Sequence, residues 1–381
     1  MEEKMKFSCH SDQFQKALSI VDKAISTRSS VNVLEYVFLN VKENKLTLIG
    51  NDLEIGIKHS IPVDAMDQEG EILVKSKTIL SIMGRLQNHP VTIETVDNIL
   101  KIKSEKVDFE ILGLSTNDYP QFPKVNEGYR FPIKIEELKD LIKKTIFSVS
   151  FDETKQFLNG ILIKNEPEHL SFISTDGFRL SLKQKKCEGI ENEFSAIVPF
   201  KAMNEVSKII QTLPQEESIH INISEKQVAF FIGETTFLSR LIEGQFPDYR
   251  QVMPSESVHS YSIPRKLLLD ASERAQIIAA ESNNVVRFNF FDNELVIKSN
   301  ANALGEFKEG IDVNRESGEG DSKIAFNVKL ILDAIKNLDD EDLVMKFSSE
   351  VSPCVIQPKN ESDYTYIIMP IRTNDFQETG A

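Results

Sequence analysis

One segment of this 381-residue chain is written three times. Asn44-Lys45-Leu46-Thr47-Leu48-Ile49 aligns with Glu168-His169-Leu170-Ser171-Phe172-Ile173 and with Asn293-Glu294-Leu295-Val296-Ile297-Lys298. Leu170 lies 124 positions after Leu46, and Leu295 a further 125. A second anchor keeps nearly the same step. Val74 before Lys75-Ser76-Lys77 corresponds to Val198 before Pro199-Phe200-Lys201, 124 positions on, and then to Phe326 before Asn327-Val328-Lys329, a further 128. Two anchors with a long, near-constant offset mean three copies of one domain, not a short-period solenoid. The expected boundaries are 5–127, 128–254 and 255–372, with 373–381 as a C-terminal tail.

Each copy reads as two βαβββ units, an α+β class built on antiparallel sheets. In the first copy a strand over Met5–Cys9 leads into an amphipathic helix over Asp12–Ile25, with Phe14, Ala17, Leu18, Val21 and Ile25 at helical spacing. Strands follow at Tyr36–Lys42, Lys45–Gly50 and Leu53–Ser60. Glu71–Lys75 restarts the pattern, a helix covers Thr78–Leu86, and strands return at Pro90–Thr95, Ile99–Lys103 and Val107–Leu112. Asp97-Asn98 supplies a tight turn. The later copies place helices near Ile135–Phe147, Phe200–Gln211, Pro264–Ile277 and Val328–Leu338.

The chain is acidic, with a formal net charge of −15, which taken alone argues against a nucleic-acid partner. Net charge, however, describes the average surface and not where charges sit. Lys16 and Lys23, Lys201 and Lys208, and Lys329 and Lys336 are pairs seven apart on three of the expected helices, about 10 Å along one face. Lys139 and Lys143 are four apart on another. Lys75, Lys77 and Arg85 serve the second helix, and Arg265, Lys266 and Arg274 the fifth. Lysine is common on any helix surface, and Asp22, Glu136, Glu137, Asp140, Glu273 and Asp333 share these faces. Recurrence on all six helices nevertheless suits a weak, sequence-blind surface for phosphate.

The chain resembles the bacterial sliding clamps, the beta subunits of the replicative DNA polymerase. The residues that carry the resemblance are Leu158-Asn159-Gly160, Ser174-Thr175-Asp176-Gly177-Phe178-Arg179-Leu180, Gly244-Gln245-Phe246-Pro247-Asp248-Tyr249-Arg250, Phe326-Asn327-Val328 and Tyr366-Ile367-Ile368-Met369-Pro370-Ile371-Arg372. They occur in order on the threefold repeat, over roughly residues 5 to 372. The resemblance implies a DNA clamp fold and a head-to-tail homodimer closing a ring. Sheets would form its outside, and helices would line a hole for duplex DNA. It implies a processivity factor that is held on DNA topologically. The clamp loader, the replicative polymerase and other proteins with clamp-binding peptides would be its partners.

The resemblance also implies a peptide pocket between the second and third domains. Its residues would be Leu158, Thr175, Gly177, Phe178, Arg179, Leu180, Pro247, Val252, Asn327, Leu330, Val351, Ile367, Ile368, Met369, Pro370, Ile371 and Arg372. The apolar members would take hydrophobic anchors, and Thr175, Asn327 and the arginines would fix polar groups. Leu180, Ile367 and Ile368 could equally be strand core. Arg28 falls where the family contacts DNA. Phe109 and Ile111, with Ile277 and Ile278, fall at the family's dimer interface, though domain core is the competing reading for them. Departures are Gln251 where a basic residue is common, Asn283 where an aromatic occurs, Asp152 near the hole, and the tail after Arg372, whose Phe376 could lie across the groove.

An enzyme is the rival from another class. No phosphate loop, His-Glu-x-x-His helix or Cys-x-x-Cys pair occurs, and the histidines have no metal spacing, so neither metal nor cofactor is expected. Asp52 with Glu54 is the nearest approach to paired carboxylates, and exposed strands often show such a pair by accident. A second rival is a three-domain DNA-binding scaffold or regulator that closes no ring. The N-terminus reads as lacking a secretory apolar region, and no run approaches the ~18 apolar residues of a membrane span. Cys9, Cys187 and Cys354, odd in number and far apart, fit buried, inert thiols in a reducing cytoplasm.

Overall fold

A computed structural model describes residues 4–26, 31–86, 88–187, 193–212 and 218–373. Arg28 and Phe376 lie outside the described residues.

The first repeat comprises β1 (Lys6–His10), α1 (Ser11–Val21), β2 (Tyr36–Lys42), β3 (Lys45–Asn51), β4 (Ile55–Pro62) and β5 (Ala65–Gln68). Its second half is β6 (Gly70–Lys75), α2 (Ser76–Arg85), β7 (Pro90–Val96), β8 (Ile99–Ser104) and β9 (Val107–Leu114). The second repeat runs β10 (Tyr129–Lys134), α3 (Ile135–Lys143), β11 (Gly160–Glu166), β12 (His169–Thr175) and β13 (Arg179–Lys186). It continues with β14 (Phe194–Pro199), α4 (Phe200–Ile210), β15 (Ser218–Ile223), β16 (Gln227–Ile232) and β17 (Thr235–Arg240). The third begins with β18 (His259–Pro264), α5 (Arg265–Ala279), β19 (Val285–Phe290), β20 (Glu294–Ala301), β21 (Gly305–Asp312) and β22 (Asn314–Ser317). It closes with β23 (Ser322–Asn327), α6 (Val328–Lys336), β24 (Asp342–Phe347), β25 (Cys354–Pro358) and β26 (Tyr364–Ile368).

Both repeat anchors are core positions. Leu46, Leu170 and Leu295 occupy matching places on β3, β12 and β20, and all three are fully buried. Val74, Val198 and Phe326 do the same on β6, β14 and β23. The turn at Asp97-Asn98 has positive φ at both residues, as a type I′ hairpin turn requires, and Glu43-Asn44 repeats the device.

The two halves of each repeat exchange their first strands. β1 joins the meander β7-β8-β9, while β6 joins β2-β3-β4. β10 pairs with β15 and β14 with β11; β18 pairs with β24 and β23 with β19. All these pairings are antiparallel. The chain packs as two compact units, residues 1–138 with 204–241, and residues 139–203 with 242–381. In the first unit one thirteen-stranded sheet runs β10-β15-β16-β17-β4-β3-β2-β6-β9-β8-β7-β1-β5. In the second a nine-stranded sheet runs β14-β11-β12-β13-β26-β25-β24-β18-β22, beside a four-stranded sheet β21-β20-β19-β23. Sheets therefore run on across the repeat boundaries, through β17 against β4 and β13 against β26.

Helices pair over these sheets, α1 on α2 in the first unit and α5 on α6 in the second. The α-helix in the first repeat stops at Val21, short of the expected Ile25, and continues as a 3-10 turn over Asp22–Ala24. Asp22 accepts hydrogen bonds from Ser76 Oγ at 2.8 Å and Lys77 Nζ at 2.6 Å, which tie that turn to the start of α2. Lys23 thus sits on the 3-10 turn, off the regular helical face of Lys16. Likewise α3 ends at Lys143, and a separate turn covers Ile146–Ser148. Cys9 and Cys354 are buried as expected, and burial pushes the Cys9 thiol up to about 12. Cys187 departs from that expectation, being only partly buried, because it stands at the end of β13 where the sheet gives out.

Candidate functional site: an apolar cavity at the β13–β26 seam

Where β13 meets β26, Leu180 stands opposite Ile367 and Arg179 opposite Ile368. Side chains alternate across a strand, so Leu180 and Ile367 share one face. They cap a small cluster with Leu162, Ile173, Leu182, Ile197, Tyr249 and Val355. Above it opens a cavity of about 150 Å³ lined by Leu158, Thr175, Gly177, Arg179, Leu180, Pro247, Asp248, Tyr249, Val252, Ile367 and Met369.

Local chemistry holds this rim in place. Asp176 Oδ1 accepts from the main-chain N–H of Phe178 at 2.9 Å and of Arg179 at 3.0 Å, closing the turn that leads into β13. Thr175 Oγ1 accepts from Gly177 N at 3.1 Å. Gly177 adopts φ +90°, a conformation that side chains disfavour, and no heavy atom lies within 4 Å of where its Cβ would be. Met369 N donates to the Phe178 carbonyl at 2.9 Å, so the strands stay together past the end of β26. Opposite, Asp248 caps the 3-10 turn Tyr249–Val252 by accepting from Arg250 N.

The other residues expected in the pocket are placed differently. Ile368 is fully buried in the third repeat's core, facing away from the cavity. Leu330 packs against that same core, and its carbonyl accepts from Tyr366 OH at 2.8 Å. Asn327 caps α6, its side chain accepting from Lys329 N at 3.0 Å. Phe178 is 67% exposed, and Val351 and Arg372 also face solvent. Pro370 and Ile371 follow Met369 along the same segment, and Ile371 N donates to Ala325 O at 2.8 Å. Asp248 and Tyr249 line the cavity without having been singled out, although they lie inside the Gly244–Arg250 motif that carries the resemblance.

The basic residues are largely matched by carboxylates. In the first unit Lys16 faces Asp12 at 3.9 Å, Lys77 faces Asp22, and Lys23 and Lys208 share Glu205 at 3.8 and 2.7 Å. Arg85 is exposed at the end of α2. In the second unit Lys143 meets Asp339, Lys336 meets Glu273 at 2.8 Å, and Arg274 Nε donates to Glu309 at 2.7 Å. Arg265 donates instead to the carbonyls of Asp340 and Ile335, at 3.0 and 3.3 Å. Lys201, Lys266 and Lys329 are exposed, and Lys139 is half-buried. Asp152 accepts from Thr154 hydroxyl and N–H, which hold its carboxyl below the usual range, so it stays charged.

Among the strand edges left open in the described residues are those of β21 and of most of β9. β21 pairs only with β20, and β9 pairs with β6 only at Gly113 and Leu114. Phe109 and Ile111 are half-buried on β9, Ile277 on α5 is 69% exposed, and Ile278 is half-buried. No group of three or more metal-ligating side chains is found among the described residues, and no helix there is long and apolar enough to cross a membrane.

A threefold antiparallel fold with an apolar cavity at a repeat boundary describes a binding protein of clamp architecture. Family models for the N-terminal, central and C-terminal domains of the DNA polymerase III beta subunit match residues 5–123, 132–248 and 250–372. The beta sliding clamp of Staphylococcus aureus is 31% identical over 378 residues, covering 97% of this chain and all of that one. The crystal structure of the Bacillus subtilis sliding clamp is 30% identical with a TM-score of 0.92, over 97% and 99% of the two chains. A Pseudomonas aeruginosa sliding clamp bound to griselimycin is 26% identical with a TM-score of 0.93, over 97% of this chain and all of that one. The chain belongs to the DNA polymerase III beta subunits, the bacterial sliding clamps. Its role is that of a non-catalytic processivity clamp in DNA replication.

Proposed function

We propose that two copies close head to tail into a ring around duplex DNA, with the cavity at the β13–β26 seam docking peptide segments of the replicative polymerase, the clamp loader and other replication and repair proteins. The observation that carries the docking half is the cavity itself. Leu158, Leu180, Pro247, Val252, Ile367 and Met369 offer an apolar lining beside a glycine whose backbone is open to approach. The open edges of β9 and β21, with Ile277 exposed nearby on α5, support strand-to-strand closure with a second copy. The basic residues on the helices would face DNA. Because most of them already neighbour carboxylates, few phosphates would be neutralised on contact, and the grip would be weak. Such a grip suits sliding.

Topology supplies the test. The loaded protein should remain on a closed circle and run off after one cut. Replacing Lys201, Lys208, Lys329 and Lys336 together by glutamate should weaken loading at low salt. Equal loss from circular and linear DNA, or a monomeric mass in solution, would favour the rival scaffold that closes no ring.

A further inference from the structure

Resemblance casts Arg179 as a cation waiting for a partner's polar group, but its charge is already met by two carboxylates of this chain. Nε donates to Asp176 Oδ2 at 2.9 Å and Nη1 to Asp333 Oδ2 at 2.6 Å, and the side chain is only 10% exposed. The guanidinium lies over the Phe147 ring, 5.7 Å from its centroid. Phe147 in turn packs against Tyr366 with centroids 5.8 Å apart, and the Tyr366 hydroxyl donates to Leu330 O on α6. Leu330 and Asp333 are one turn apart on that helix. Two struts therefore run from a single stretch of α6 to the two strands that make the cavity. One reaches β13 through Asp333 and Arg179, and the other reaches β26 through Leu330 and Tyr366.

We infer that Asp333, which does not line the cavity, is a positioning residue for peptide docking: it fixes Arg179 as part of the wall instead of leaving it free to bind the ligand. A buried guanidinium needs its charge compensated, and its planar fork takes the orientation its carboxylates dictate. Asp176 is local, three residues away on the same turn, and cannot alone set where β13 stands against α6. Asp333 reaches across 154 residues of sequence to do so. Without it Arg179 would keep one carboxylate, gain freedom to swing toward the cavity or solvent, and loosen the wall formed by Arg179 and Leu180.

This inference rests on the cavity being a peptide site. It is tested by a double-mutant cycle on the full-length protein, with a fluorescent peptide bearing glutamine, leucine and phenylalanine anchors. Asp333→Asn and Arg179→Met should each weaken binding about tenfold, and the double variant little more than either alone, because both break one coupled unit. Asp333→Glu, which keeps the charge, should restore most of the affinity. If Arg179 instead contacted the peptide directly, Arg179→Met would weaken binding while Asp333→Asn bound as well as wild type or better; that result overturns the assignment. Hydrogen exchange of the Arg179 and Met369 amides decides the matter independently of peptide. It should quicken in Asp333→Asn, and unchanged exchange would also overturn it. A wild type that fails to bind the peptide sinks the docking reading alone, since the exchange comparison still stands.

Discussion

Lys144 Nζ lies 2.8 and 2.6 Å from the two carboxylate oxygens of Glu361, joining residues 217 positions apart. Lys183 donates to the same carboxylate and to Asp363 at 2.9 Å, and Asp140 lies 3.2 Å from each lysine. Both lysines are almost wholly buried. Burial would raise the Glu361 carboxyl, yet the hydrogen bonds from Lys144 and Lys183 outweigh it and hold the group below its ordinary value. A depressed carboxyl stabilises the fold above its unfolded value of about 4.3 and loses that contribution as pH falls through the folded value. Wild type should therefore weaken in acid. Glu361→Gln should cost about 1–2 kcal/mol near neutral pH and flatten the acid limb, as followed by urea unfolding across a pH series. An unaltered pH profile in the variant would show that the cluster contributes nothing.

The cavity makes a prediction that separates binding from folding. Met369 is part of the lining but is also 38% exposed, so a lysine there can reach solvent in the free protein. Met369→Lys should unfold like wild type yet lose peptide affinity by at least about tenfold, because docking would bury its charge. Titration by fluorescence anisotropy checks this, and retained affinity would contradict the docking site.

Charge at the open edges should act on assembly alone. Ile277→Asp with Ile278→Asp places two carboxylates where closure would bury apolar surface, and light scattering should report half the wild-type mass. Peptide affinity should persist, since the cavity lies at the β13–β26 seam. A double variant with wild-type mass would move the interface elsewhere.

Gly50 lies under the end of α1. A Cβ there would meet the Val21 carbonyl at 2.6 Å, Ile25 Cγ1 at 2.8 Å and Val21 Cγ1 at 2.9 Å. The carbonyl cannot move without shifting the end of the helix, so Gly50→Ala should cost about 2–3 kcal/mol, read from the urea midpoint. Gly84, whose Cβ would meet only the Gln15 amide at 3.9 Å, is the control and should tolerate alanine.

Much of this fold is legible in the sequence because its signals are local. The anchor leucines, the alternation along each strand and the Asp97-Asn98 turn need no distant partner to be recognised. The exchange of first strands between halves leaves no such trace, because β1 and β7 pair through hydrogen bonds that any side chain permits. The short edge strands β5 and β22 are equally silent, being mostly exposed and carrying no apolar alternation. At the cavity, Leu180 and Ile367 were identifiable through the resemblance, whereas Ile368 alternates to the other face and joins the third repeat's core. Asp333 was visible only as one acid on a helix. Its tie to Arg179 depends on two elements far apart in sequence, and spacing within α6 cannot reveal it.

The pairing of β4 with β17 also sets an order of events during synthesis. His59 and Thr235, which meet across that seam at 2.8 Å, are 176 residues apart. While the first repeat emerges from the ribosome, the outer edge of β4 has no partner, and it gains one only after the whole second repeat has been made. β13 waits in the same way for β26, which ends five residues before the last described position. A nascent chain of this kind carries unsatisfied strand edges for most of its translation, so aggregation and chaperone demand should peak before the final strand is released.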